Sequence, residues 1–219
     1  GGILNFGTIS MVDCTVSENT ADGGGGIHNQ GTLSMADCTV SDNTAVSGGG
    51  ISNYDSTVDM VDCTVSGNTA ISSGGVSNSF SNVNIIGCTI SDNTADFNGG
   101  IGNHGSTVNM VDCTVSGNTA LFGGGIENYD SIVNMVDCTI NGNTALYDGG
   151  GIYNWESTLN INGGSISGNT ASQQMGGGIY NRNGTLVVSD GSFTDNNAGW
   201  GGGGISNENS TMIMSGGTI

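Results

Sequence analysis

The sequence predicts an all-β fold: a parallel β-solenoid of about nine triangular rungs, each of about 25 residues, occupying residues 1–219 as a single domain. Three observations carry this reading. An aliphatic residue follows a glycine cluster nine times over, an asparagine stands two residues after each of them, and further apolar columns keep step along the chain. Self-similarity at a fixed period of this length is the mark of a repeat architecture.

The rung can be built in order from its columns. The leading aliphatic positions are Ile3, Ile27, Ile51, Val76, Ile101, Ile126, Ile152, Ile179 and Ile205, and the asparagines behind them are Asn5, Asn29, Asn53, Asn78, Asn103, Asn128, Asn154, Asn181 and Asn207. Next come Ile9, Leu33, Val58, Val83, Val108, Val133, Leu159, Leu186 and Met212, each followed two residues later by Met, Ile or Val. A spacing of two places both columns on one face of a strand. Three residues further on stand Cys14, Cys38, Cys63, Cys88, Cys113 and Cys138, with Gly164, Gly191 and Gly217 in the later rungs. An odd step would send the cysteines to the other face unless the chain turned, so a corner is expected at Asp13, Asp37, Asp62, Asp112 and Asp137. A second slip falls before Asn19 and its equivalents, and the glycine cluster supplies a third corner, where positive φ or close backbone approach is expected. The reading is three short strands and three corners per coil. Length varies only after the Ile-x-Asn unit and between the alanine column (Ala21, Ala45 and onward) and the next aliphatic residue, which is where a stacked coil tolerates insertion.

Stability then comes from stacking neighbours, because one coil cannot bury its own face. The asparagine columns are read as structural ladders that satisfy corner backbone groups and one another. The six cysteines share one inward column. They are expected as buried thiols that pack like small hydrophobes, with rung-to-rung bridging as the minority outcome, since parallel side chains suit a disulfide poorly.

Composition narrows the function. The chain has 19 acidic residues against one base, Arg182, for a net charge of −18. Nucleic-acid binding needs Lys and Arg to displace phosphate counterions, so it is excluded, as is docking on anionic lipid. No stretch approaches the length of a membrane helix, and direct membrane insertion is not expected. The start does not resemble a signal peptide. The chain opens inside one repeat at Gly1 and stops inside another at Ile219, so it reads as a mature piece or an excerpt of a longer array.

The repeats resemble those of polymorphic outer membrane proteins, whose signatures are GGA before an aliphatic residue, and FxxN. The first appears here as Gly49-Gly50-Ile51 and its equivalents; the second is intact at Phe193-Thr194-Asp195-Asn196, with Val65-Ser66-Gly67-Asn68 as a typical variant. The resemblance implies a right-handed parallel β-helix. It also implies an extracellular or cell-surface role as stalk, adhesive passenger or filament subunit.

Several candidate sites follow. The column Asp13, Asp37, Asp62, Asp112 and Asp137 stacks like charges, so it is either solvated or bridged by Ca²⁺, which prefers carboxylate oxygens. No other cofactor is expected. Aromatic residues after the Ile-x-Asn unit (Phe6, Tyr54, Tyr129, Trp155) form an expected outward edge. A second set, Val46, Ile71, Phe97, Leu121, Phe122, Leu146, Tyr147, Met175 and Trp200, lies at the glycine corner. Exposed, aligned apolar residues mark an interface, either for lateral packing against another copy or for glycans and ligands on host or neighbouring cells. Both rod ends leave strand edges open, and head-to-tail stacking would cover them without closing.

Two alternatives come from other classes. A T-x-S array (Thr15/Ser17, Thr39/Ser41, Thr64/Ser66, Thr89/Ser91, Thr114/Ser116) looks like the flat threonine ranks of β-helical ice-binding proteins, although threonine is also simply a good exposed strand residue. Carbohydrate-processing enzymes such as pectate lyases use right-handed β-helices too. Here Arg182 has no carboxylate cluster in its own rung, and His28 and His104 stand three rungs apart, so no catalysis is expected.

Overall fold

The computed structural model describes residues 1–219, and it contains thirty-two strands and no helix. No helix is therefore long and apolar enough to cross a membrane. All pairings are parallel and join one rung to the next in register, as in Ile101↔Ile126 and Asn103↔Asn128. Three sheets run the length of the rod: nine strands in the first, fifteen in the second and eight in the third. The chain thus makes eight complete coils, and a ninth ends within the second sheet.

Each early coil has four strands where the sequence predicts three. The Ile-x-Asn strand belongs to the first sheet, a five-residue strand such as Thr57–Val61 and a T-x-S strand such as Thr64–Ser66 both belong to the second, and a Thr-Ala pair such as Thr69–Ala70 belongs to the third. The division that reading lacks lies between the Ile-x-Asn strand and the five-residue strand, as between Ile51–Tyr54 and Thr57–Val61, where the chain passes from the first sheet to the second. The expected corner at the aspartate column is present, and it has a local cause. A single residue in the left-handed region, Asp13, Asp37, Asp62, Asp112 or Asp137 with φ between 50° and 53°, bends the second sheet without ending it. Aspartate tolerates this conformation because its short polar side chain can hydrogen-bond locally. Beyond Cys138 the column passes to Gly164 and Gly191, and the two strands fuse into Thr158–Ser167 and Thr185–Thr194, with a bulge between Ile161 and Asn162.

The core is one cluster of 35 buried apolar residues built from the predicted columns. Cys38, Cys63, Cys88, Cys113 and Cys138 are buried in it as free thiols and Cys14 is half-buried. Their Sγ atoms lie 3.1–3.4 Å from the carbonyl oxygen two residues earlier in the chain, as at Cys38 to Ala36.

Two amide ladders cross this apolar interior. From Asn5 to Asn207 each side chain donates to the next, for example Asn53 to Asn78 at 2.9 Å and Asn78 to Asn103 at 2.9 Å. In the second ladder, from Asn19 to Asn196, Asn68 donates to both the Val40 carbonyl (3.0 Å) and the Asn93 oxygen (2.9 Å), while its own main-chain N–H also donates to Asn93 (3.0 Å). Every polar atom of such a residue has a partner, which is the condition for burying it.

The glycine corner is tight because the stacked coils touch there by backbone. A β-carbon at Gly99 would lie 2.2 Å from the Gly124 carbonyl oxygen.

Candidate functional site

The scaffold columns are uniform, so a site has to come from positions where the repeat carries something else. These concentrate on the outer face of the first sheet. The residue between the aliphatic and the asparagine points outward there, and in successive coils it is Ser52, Ser77, Gly102, Glu127 and Tyr153. Of these, Ser77, Gly102 and Glu127 form the floor of a groove of about 480 Å³.

One wall of the groove is His104, Tyr129 and Trp155, the C-terminal part of a longer column of rings. Tyr54 packs on Phe80 (centroids 6.0 Å), Phe80 on His104 (5.3 Å), His104 on Tyr129 (4.9 Å) and Tyr129 on Trp155 (4.9 Å), mostly edge to face. This is the predicted aromatic edge with two additions, Phe80 and His104, and one loss, since Phe6 is exposed in the first coil apart from the column. Phe80 stands one residue later in its coil than Tyr54 does, at a left-handed bend (φ 52°) that aspartate occupies in other coils. Its ring lies over Gly105, where a β-carbon would come within 2.7 Å of it.

The opposite wall comes from the loops before the glycine corner. Asn98 donates to Ser73 at 3.3 Å, and the pair rests on Gly102, whose missing side chain would lie 2.5 Å from each. The sequence places this whole loop set on an exposed apolar edge, and the structure corrects that. Val46, Ile71, Phe97 and Trp200 are exposed, whereas Leu121, Phe122, Leu146, Tyr147 and Met175 are half-buried. Phe122 turns onto the sheet and packs against Tyr147 (5.1 Å) and Tyr153 (5.9 Å), and Tyr153 stacks on Tyr180 at 5.4 Å with planes 3° apart. Eight of the chain's twelve Phe, Trp and Tyr residues thus join His104 in one patch, so the aromatic content is concentrated on a single face.

The polar groups of the groove are few. Trp155 Nε1 and Asn98 Oδ1 are buried without hydrogen-bond partners, one a donor and one an acceptor. Burial pushes the Glu127 carboxyl up to about 7, so it exchanges its proton near neutrality. Asp148, which accepts from the Met175 N–H at 3.0 Å, is also raised by burial.

Arg182 ends the strand Ile179–Arg182, paired in register with Trp155 on one side and Glu208 on the other, and it is exposed. The Tyr180 hydroxyl donates to Glu208. The sequence reading, which looked only within one coil, missed these neighbours because they come from adjacent coils.

The remaining sequence candidates lie elsewhere. The Asp13 to Asp137 column is exposed and forms the left-handed bends of the second sheet. No three of the His, Cys, Asp and Glu side chains converge as a metal-holding group. The T-x-S strands stack in register, Thr64 between Thr39 and Thr89, on a different face from the groove.

Coils of parallel strands around an apolar interior, with a recessed face along one sheet, define a parallel β-helix. Residues 2–166 match the family described as right-handed β-helix region, and the chain belongs to that family. Neither a curated protein nor a solved structure matches it at a significant level.

Proposed function

We propose that this chain is an extracellular or cell-surface adhesive solenoid, in which the β-helix is a non-catalytic support and the first-sheet groove binds glycan. The aromatic patch carries this reading. Ring faces and edges fit the apolar faces of sugar rings, while the unpartnered Trp155 donor, the Asn98 acceptor and the Ser77 hydroxyl suit sugar hydroxyls. Buried polar atoms without partners cost stability unless something pairs with them. The surface assignment draws on the strongly acidic composition and on the likeness of the repeats to those of polymorphic outer membrane proteins.

Binding to immobilised oligosaccharides, followed by calorimetry on the best of them, tests the proposal. Trp155→Ala and Tyr129→Ala should each weaken binding at least about tenfold, with melting temperature little changed. Equal binding by both variants would remove the groove from the function. Release of new reducing ends from the bound glycan would overturn the non-catalytic part.

Ice binding is the second reading, supported by the in-register threonine ranks of the T-x-S strands. It requires thermal hysteresis that Thr64→Lys and Thr89→Lys abolish while the groove variants keep it.

A further inference from the structure

The groove of the first sheet carries charge of one sign. Its lining includes one carboxyl, that of Glu127, and neither a lysine nor an arginine. Glu127 lies between Gly102 and Tyr153 in the outward column, and a β-carbon at Gly123, in the loop beside it, would come within 2.9 Å of its own. No neighbour donates a hydrogen bond to the carboxyl and no positive charge offsets it, so burial alone acts on it. In its ionised form it has lost water without gaining a partner.

The other groups of the groove agree with it in sign. Asn98 Oδ1 is a second acceptor without a donor, against one orphaned donor, Trp155 Nε1. Aromatic faces attract a cation within about 6 Å of the ring centroid, and His104, Tyr129 and Trp155 form the wall. Glu127 and Tyr129 stand two residues apart on the strand Ile126–Tyr129, both on its outward face. Two residues of a strand span about 6.6 Å, which leaves room for one small cation between carboxyl and ring. Around the groove the chain carries 19 acidic residues against one base, a field that draws in cations and repels anions.

These groups rank the sugars. A uronic acid would set a second negative charge over Glu127. A neutral sugar hydroxyl can donate to the carboxyl but leaves its charge unbalanced. A protonated amine balances the charge, donates to the carboxyl and faces the rings at once.

We propose that the groove selects amino sugars, with the ammonium group of a de-N-acetylated hexosamine held between Glu127 and the ring wall. The inference rests on the glycan reading and narrows it from sugars at large to those with a free amine.

Calorimetry at about pH 7 with three tetrasaccharides tests this: N-acetylated chitotetraose, its fully de-N-acetylated form, and tetragalacturonate. The de-N-acetylated form should bind at least about tenfold more tightly than the acetylated one, the ratio that one hydrogen bond to a charged group supplies, and tetragalacturonate should not bind. Glu127→Gln should bring the two chito-oligosaccharides within about threefold of each other, with an unchanged circular dichroism spectrum. Asp59→Asn removes one exposed charge from the second sheet and should keep the ratio of the parent. Tetralysine should bind at least about tenfold more weakly than the amino sugar, since it brings charge without a sugar ring. A ratio near one in the parent, a ratio that survives Glu127→Gln, or tetralysine bound as tightly as the amino sugar would each overturn the inference and leave the glycan reading standing. Failure of all three tetrasaccharides to bind would instead remove the glycan reading itself.

Discussion

One oxygen of Asn118 accepts two hydrogen bonds from Asn93, from its side-chain amide at 3.0 Å and from its main-chain N–H at 3.0 Å. The Asn118 amide in turn donates to the Ile90 carbonyl at 3.0 Å and to Asn143 at 2.9 Å. Asn118→Ala therefore strands polar groups on both neighbouring coils at once. At about 1–3 kcal/mol for each buried unsatisfied group, we expect a loss of about 3 kcal/mol or more in denaturant unfolding. A loss below about 1 kcal/mol would mean that water replaces the amide.

Two glycines separate packing from backbone strain. A β-carbon at Gly99 meets the Gly124 carbonyl oxygen at 2.2 Å and the Thr119 nitrogen at 2.9 Å, both backbone atoms of the adjacent coil. Gly142, at φ 63°, has nothing within 4 Å of the same position. Gly99→Ala should cost about 3 kcal/mol or more by forcing coils apart, whereas Gly142→Ala should cost only the left-handed penalty of about 1–2 kcal/mol. Gly142→Asp should cost less again, since Asp42 and Asp92 occupy the equivalent bend. Thermal melts of the three variants decide the order.

Glu127 sets a pH dependence. Its carboxyl is raised by burial from 4.5 to about 7, so between these values the folded chain holds a proton that the unfolded chain has released. Stability is then greatest below about pH 4.5 from this group and falls as pH rises to about 7, by up to about 3 kcal/mol. Glu127→Gln should flatten that part of the melting temperature–pH profile and be more stable than the parent at pH 8. A profile unchanged by the substitution would show that the carboxyl is solvated.

The thiols should react in two classes. Cys14 is half-buried in the first coil, while the other five are buried and Cys38 is raised by burial. A thiol reagent should modify about one cysteine quickly in the native protein and the other five only after denaturation. Fast reaction of more than two would contradict the stacked, dry column.

The legible part of this molecule was whatever a single coil dictates by itself. Asn53 is visible because the backbone around it needs the same amide in every rung, and Asp62 is visible because an odd step between inward columns forces a bend. What stayed hidden depends on relations between coils. Phe80 joins the aromatic column from a position one residue out of register. Phe122 and Tyr147 belong to loops whose lengths vary, so their direction could not be inferred from spacing. Glu127 replaces a serine or glycine in an outward column, and its burial comes from neighbouring loops and rings, which no reading of its own strand reports. The corner between the Ile-x-Asn strand and the five-residue strand escaped notice for another reason, since the step there is four residues from Asn29 to Leu33 and five from Asn53 to Val58, a variation that reads as an insertion.

The amide ladders also give the rod a sense of direction. Both inner columns donate toward the C-terminal coil at every step, from Asn5 to Asn29 and from Asn19 to Asn43 onward. An outer ladder on the five-residue strands runs oppositely, from Asn160 through Asn134, Asn109 and Asn84 to Asp59. In the ladder from Asn5 to Asn207, removing a C-terminal coil leaves amide donors bare and removing an N-terminal coil leaves acceptors, whereas the second ladder also reaches back, as Asn68 does to Val40. The two ends of the rod therefore offer different hydrogen-bonding surfaces to whatever meets them.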